Sequence, residues 1–365
     1  MIRNNVEIRP FEDCIKKVKY TKKVASQDFK ESGRFPIVSQ EEAFISGYWD
    51  NPDDVFSIDG PVVIFGDHSR HVKYVDFDFV IGADGVKILS PVDDINAKYF
   101  YYYLKSQRIQ SLGYSRHYKV LKEKMVPVPS LADQQRIVDE LDLLSGIVEK
   151  KNAQLKIMGD LEQSVFYEMF DQPDSSSFPV FKLSQLSRQK LSYGSGASAV
   201  EFNGNVRYVR ITDIQEDGTL TENSMSPDSY DEKYLLHEGD ILFARSGATV
   251  GKTFLYNKQD GKSIYAGYLI RFVPDVSVVY PEYIYHFTRS QYYKAFVRAN
   301  AQAVAQPNIN AQQYGNLEIC VPPMSLQKDF VERIMSIDSQ KATIRRSIKV
   351  AQNLLASRLD NYFNV

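Results

Sequence analysis

The sequence predicts an α+β chain in which two similar mixed α/β domains are separated by two long antiparallel coiled-coil helices, the halves related as a pseudo-two-fold internal repeat. Three observations carry this reading. Pro129–Gln134 (PSLADQ) aligns on Pro322–Gln327 (PPMSLQ) at an offset of 193, and the same offset, without a gap, sets Asp160–Phe166 on Asn353–Leu359 and Phe170 on Phe363. Apolar residues after each proline recur mostly at alternating steps of four and three, the spacing of a coiled-coil seam. The two segments so marked carry opposite charge: residues 131–171 hold four basic and nine acidic side chains, and residues 323–365 hold seven and four.

The elements follow in chain order. In residues 1–130, Val62–Phe65 is a short β-branched run behind Gly60-Pro61 and predicts a strand, as does Ile81–Leu89. The nearly continuous apolar series Tyr99–Gln107 (YFYYYLKSQ) predicts a buried helix. Residues 131–171 predict the first long helix, with Ile137, Leu141, Leu144, Val148, Leu155, Met158, Leu161, Val165 and Met169 on one stripe. Pro129 stands just before it, where a proline does no harm. About forty residues at ~1.5 Å rise make a rod of roughly 60 Å, and a lone rod would leave its stripe in water. The seam is imperfect at Lys151 and Gly159-Asp160. Residues 171–179 (DQPDSSSFP) are a joint rich in Pro, Ser and Asp.

Residues 172–322 repeat the first domain more loosely. Asp240–Phe243 answers Val62–Phe65, Tyr265–Phe272 is a further strand, and Tyr283–Gln291 (YIYHFTRSQ) answers the Tyr-rich helix. Residues 323–365 are the second long helix, with Phe330, Ile334, Ile337, Ile344, Ile348, Ala351 and Leu355 on its stripe. Two similar domains held by antiparallel helices would share an approximate two-fold with duplex DNA, the symmetry of a reader of two half-sites.

Composition narrows the classes. No run approaches the ~18 apolar residues of a membrane helix, the first residues lack a signal peptide's apolar core, and Cys14 and Cys320 are too few for a disulfide framework or a cysteine-rich metal site. A cytoplasmic location is the default expectation. The net charge of −2 argues weakly against a nucleic-acid binder, although the placement of charge matters more than its sum.

The order and doubling of these parts resemble the specificity subunits of type I restriction-modification enzymes over nearly the whole chain. Leu131–Val138 (LADQQRIV) after Pro127-Val128-Pro129 is similar to that family's helix start. Gly239–Thr253 (GDILFARSGATVGKT) looks like its target-recognition strand and loop, and Leu354–Leu359 (LLASRL) resembles its helix end. The resemblance implies a DNA-binding subunit without a catalytic site. Residues 1–130 and 172–322 would then each read one half of a bipartite target. The helices would act as a ruler and dock two methylation subunits, and restriction subunits would complete the complex. Double-stranded DNA is the implied ligand, and no membrane is involved. No cofactor is expected in this chain: S-adenosylmethionine belongs to the methylation subunits, and ATP and Mg to the restriction subunits. Gln134, Gln135, Ile137, Leu141, Gln327, Phe330 and Ile334 are the candidate docking residues. Phe65–His71 (FGDHSRH) departs from the Ala-Arg-Ser-Gly loop of the second domain, so the two half-sites are expected to differ.

Candidate DNA contacts lie in loops. Arg245, Ser246, Thr249 and Lys252 follow a strand in a Gly-rich loop suited to phosphate or base edges. In the first domain His68, Arg70, His71 and Lys73 form an exposed polar loop. Arg116, His117, Tyr118 and Lys119 form a basic local run and match the region of Gln302, Gln306 and Asn308. Arginine can bridge guanine, and Gln or Asn adenine, through paired hydrogen bonds.

Other chemistry is less well supported. Gly247–Thr253 has three residues between its glycines where a P-loop has four. Tyr193–Ser198 is Gly-rich without strand-turn-helix context and reads as a mobile loop. The chain has no Asn/Asp-Pro-Pro-Tyr/Phe tetrapeptide to hold a flipped adenine. His68 and His71 lack further metal ligands. Glu41-Glu42 and Asp53-Asp54 read as surface charge, and most aromatic residues as core. Two alternatives stand beside the main reading: a DNA-processing enzyme or nucleotide hydrolase using the Gly247–Thr253 loop, and a coiled-coil adaptor with protein partners only.

Overall fold

A computed structural model describes residues 6–110, 115–170, 178–301 and 307–364. Most of the predicted joint, residues 171–177, lies outside them. Among the described residues the helices are α1 (Ala97–Ser106), α2 (Tyr118–Lys122), α3 (Leu131–Phe170), α4 (Pro281–Phe287), α5 (Gln291–Ala301), α6 (Ala311–Gly315) and α7 (Met324–Phe363). Contacts divide the chain into two compact units, residues 1–152 with 346–365, and residues 153–345. The sequence cuts the chain by repeat copy, whereas packing cuts it by compact unit. Each unit holds one globular domain, the first part of the long helix that follows it and the last part of the other long helix.

The first unit has an antiparallel sheet in the order Ile15–Lys16, Val86–Pro91, Val62–Gly66, Val72–Val75. Val62–Gly66 is buried along its whole length because it is central and covered. A second sheet contains Lys23–Val24, Phe79–Gly82, Phe35–Val38 and Gly47–Trp49, with Val55–Phe56 also on Phe79–Gly82. Glu7–Pro10 pairs with Met125–Val128 and closes the domain next to α3. The Asn96 side chain caps α1 by accepting from the Lys98 and Tyr99 amides.

The second unit repeats the plan. Its sheet runs Ser192–Tyr193, Leu269–Phe272, Ile241–Ala244, Thr253–Leu255, the same order with the same antiparallel pairings. Val180–Lys182 on Glu318–Cys320 answers the closing pair. The parallel pair Arg207–Val209 and Ser263–Tyr265 answers Phe35–Val38 and Phe79–Gly82.

Two predicted strands are broken. Ile81–Leu89 is the end of Phe79–Gly82 and the start of Val86–Pro91, which serve different sheets. The reversal sits at Ala83–Gly85, where Ala83 has φ 31° and Gly85 φ 87°, a backbone that glycine adopts without a Cβ penalty. Tyr265–Phe272 breaks likewise at Ala266–Tyr268, where the Leu269 amide donates to the Ala266 carbonyl at 2.8 Å. Tyr193–Ser198 begins as an edge strand. A Cβ on Gly194 would lie 2.3 Å from the Tyr265 carbonyl oxygen, so only glycine lets these backbones meet.

The long helices pack antiparallel within each unit. In the first, Ile137, Val138 and Leu141 of α3 share a core with Leu355, Leu359 and Phe363 of α7. In the second, Val165, Phe166 and Phe170 share one with Phe330, Val331, Ile334 and Ile337. The opposite charge of the segments is used directly: Arg358 meets Glu140 at 2.8 Å and Lys341 meets Glu162 at 2.6 Å, Glu162 being buried and Lys341 half-buried. Burial raises the Glu162 carboxyl, and Lys341 opposes that rise. Leu161, placed on the predicted stripe, is 44% exposed. Past Gly159 the inward face passes to Glu162, Val165 and Phe166.

Candidate nucleic-acid interface

In the second unit the strand Ile241–Ala244 delivers Arg245 to a cluster. The Arg245 amide donates to the Tyr268 carbonyl at 3.1 Å, and its carbonyl accepts from the Ile309 amide at 2.8 Å. Ser246 bridges Asn308, and the Gly247 amide donates to the Pro307 carbonyl. These bonds join two loops that are about sixty residues apart in sequence. Arg245 Nε donates to Asn308 Oδ1 at 3.3 Å, and the guanidinium lies 4.8 Å over the ring of Tyr193. Tyr193 is in turn held by its hydroxyl, which accepts from the Ala311 amide at 3.1 Å. Among the described residues the two Arg245 Nη groups make no hydrogen bond, so the fork that can pair with guanine is held at one edge and open at the other. Tyr193 was outside the predicted site. The cue present in the sequence was a lone tyrosine before Gly194, which spacing alone does not connect to Arg245.

The Gly-rich loop does not act as a unit. The Thr249 hydroxyl donates to the Ser246 carbonyl at 3.1 Å. Lys252 pairs with Glu216 at 2.7 Å and lines a cleft that does not include Arg245. The amides of Val250, Gly251 and Lys252 donate to Gly247, Ala244 and Thr249. These three are spent within the loop, which leaves no continuous run of free amides up to Lys252 to cradle a phosphate as a nucleotide hydrolase would need. Gln302 and Gln306 lie outside the described residues.

In the first unit, Asp67 occupies the place of Arg245. Its amide donates to the Gly85 carbonyl and its carbonyl accepts from the His117 amide, the same two bonds that Arg245 makes. His117 therefore answers Ile309, and both are buried without exposure. Its Nδ1 lies 2.9 Å from the Asp67 carbonyl. Arg116 answers Asn308 and is exposed. The Asp67 carboxylate accepts from the Tyr118 amide at 2.7 Å and binds the two candidate loops together. Sequence reading did not single out Asp67.

The remaining candidates of this unit divide. Arg70 and His71 are exposed, His68 is half-buried, and Lys119 is exposed. Arg70 has φ 65°, and one of its Nη groups donates to the Ile109 carbonyl at 3.0 Å. The Tyr118 ring packs against Phe11 and Phe65, and burial pushes its hydroxyl up to about 12. Lys73 was expected to reach phosphate but is 5% exposed. Its ammonium donates to the carbonyls of Ser39 and Ala43, and burial lowers its pKa. Lys73 and His117 thus serve the fold, since both are buried.

The expected docking residues also face inward. Gln134, Ile137, Leu141, Gln327, Phe330 and Ile334 are at most 2% exposed, and only Gln135 is on the surface. The glutamines are repeat-equivalent clamps. Gln134 Oε1 accepts from the Asn96 amide, and its Nε2 donates to the Pro129 and Asp94 carbonyls. Gln327 does the same with Tyr280, Pro322 and Val278. Among the described residues no helix is long and apolar enough to cross a membrane.

Comparison with known proteins agrees with this geometry. The family profile described as Type I restriction modification DNA specificity domain matches residues 4–157 and 178–352. The chain is similar to the type I restriction enzyme EcoR124I/EcoR124II specificity subunit of Escherichia coli, 25% identical over 355 residues, which are 89% of this chain and 84% of that one. Its fold is like that of the type I restriction-modification system S subunit from M. genitalium, with a TM-score of 0.61 at 14% identity over 99% of this chain and 96% of that one. A chain from a structure on complex assembly and conformational transition of the type I R-M system gives 0.52 at 13% identity over 100% and 98%.

Proposed function

From the premise that this chain belongs to the family of type I restriction-modification DNA specificity domains, we propose that its two domains, residues 1–130 and 172–322, each read one half of an asymmetric bipartite DNA target. It is a recognition subunit and not the catalyst. The observation that carries the proposal is the contrast at one equivalent position: backbone bonds that place Asp67 beside Arg116 in one domain place Arg245 beside Asn308 in the other. The same scaffold presents different hydrogen-bonding groups, as two readers of different bases require. Arg245, Ser246 and Asn308 with Tyr193 form the second reader. Arg70, His71, Arg116 and Lys119, flanked by His68 and Tyr118, form the first.

The reading extends to the assembly. Two methylation subunits dock on the long helices and carry S-adenosylmethionine, and they supply the adenine chemistry. Restriction subunits with ATP and Mg complete the complex, which works in the cytoplasm on double-stranded DNA. Replacing Arg245 by Ala removes one base contact of about 1–3 kcal/mol. Sequencing of methylated adenines should then show one position relaxed in one half of the target, and Arg116→Ala should relax the other half. If either substitution altered both halves, or neither altered any, the two-reader proposal would fail.

A further inference from the structure

We propose that the cleft of about 980 Å³ in the second unit binds a small phosphate-bearing molecule through Lys156, Lys294 and Arg298. Its walls are the loop Gln215–Asp217, the loop Ala248–Thr253, α5, and the parts of α3 and α7 that belong to this unit. The volume is within the range of sites for small organic ligands. Seven lysines and arginines line it against four carboxylates. Three of the carboxylates are already matched: Glu216 by Lys252, Glu162 by Lys341, and Asp217 by Arg345 at 3.5 Å. Lys156, Lys294 and Arg298 are exposed and form no ion pair among the described residues. Asp160, one turn from Lys156, offsets only part of this charge. The cleft therefore carries a surplus of cations that fold stability does not require, since like charges held together repel.

A second observation points the same way. Three buried polar atoms of lining residues have no hydrogen-bond partner among the described residues: Gln163 Nε2, Arg289 Nε and His286 Nδ1. The Gln163 and Arg289 atoms are donors only. Burial, Arg289 and Lys341 hold His286 down to about 3, so at neutral pH it is uncharged and can donate from one ring nitrogen. Unanswered donors are costly, and the Gln163 and Arg289 donors beside this cleft favour an acceptor-rich anion over a cation or an apolar ligand. The two aromatic rings in the lining, Tyr293 and His286, are 2% and 4% exposed and offer no face for stacking. Recognition thus rests on phosphate oxygens and not on a base. The loop Gly247–Thr253 contributes the Lys252 side chain but none of the amides already spent within it.

Isothermal titration calorimetry of the full chain without DNA, with inorganic pyrophosphate as the probe, tests this. Saturable binding is expected, weakened at least about tenfold by Lys294→Ala with Arg298→Ala, two surface changes that leave the fold in place, and weakened also by Gln163→Leu. Absence of saturable heat, or affinity unchanged in the double variant, would overturn the site. Complete displacement of pyrophosphate by a short non-specific duplex would overturn it too, because the cations would then belong to a DNA track.

Discussion

Gln134 and Gln327 make the same three hydrogen bonds from equivalent places 193 residues apart, each tying the first turn of a long helix to the segment that leads into a Tyr-rich helix. A buried amide so engaged exchanges its water partners without loss, and removing it strands the groups it served. Gln134→Leu would leave the Asn96 amide and two carbonyls unanswered in the interior. We expect a loss of about 1–3 kcal/mol, read as a lower urea midpoint with unchanged slope. Gln135→Leu, one residue away on the surface, should stay within about 0.5 kcal/mol. Equal effects from the two would show that the clamp does not matter. The sequence displayed both glutamines, and the repeat marked them as special, but helical spacing could not tell an inward amide from a partner contact. Lys73 was missed for a related reason: a long cation can bury its stem and spend its ammonium on loop carbonyls, and composition sees only the charge.

At the scale of the element, the four-three spacing made α3 and α7 legible, with observed bounds Leu131–Phe170 and Met324–Phe363. The charge imbalance was legible too, and it reappears as Arg358 on Glu140 and Lys341 on Glu162. What spacing could not show was the shift of the buried face past Gly159, which turns Leu161 outward. That shift has a consequence for partners. Ile157 (66% exposed) and Leu161 (44%) stand one turn apart in the second unit, and Val350 (63%) and Leu354 (43%) stand at the equivalent positions in the first. Adjacent exposed apolar side chains are candidates for protein contact where they join into a patch. Under the proposed assembly each pair docks one methylation subunit. Native mass spectrometry of the reconstituted complex should therefore lose one copy with Ile157→Asp and Leu161→Asp, and one copy with Val350→Asp and Leu354→Asp. Loss of both copies from either pair, or of none, would move the docking surface elsewhere.

The broken strands Ile81–Leu89 and Tyr265–Phe272 show where reading from sequence stopped within the domains: a three-residue reversal inside an apolar run changes which sheet each piece joins, and alternation does not register it. The closing of Tyr99 and Tyr103 around Phe363, and of Tyr283 around Phe170, was visible only as an aromatic-rich composition.

For the molecule as a whole, the repeat was the most legible feature because it needs no geometry: two copies of one plan must bury two copies of one core. The reading sites were less legible, because a site is made by loops distant in sequence, as Arg245 and Asn308 are, and only the fold brings them together. The two copies share sheet order and helix clamps, while the groups they hold at the equivalent loop differ. Scaffold and readout are therefore separable in principle, and exchange of one domain should transfer readout alone. Replacing residues 172–322 by the same domain of another specificity subunit leaves the Gln134 clamp and the residues of α3 and α7 untouched, and Gln327 keeps its place to receive the backbone groups of the incoming domain that answer Tyr280, Val278 and Pro322. The exchanged protein, assembled with its methylation subunits, should methylate a target in which the half assigned to the first domain is unchanged and the other half is new. Sequencing of methylated adenines reads both halves at once. A change in the half assigned to residues 1–130 would mean that readout is shared between the domains, and that the equivalence of Asp67 and Arg245 is architectural without being a division of labour.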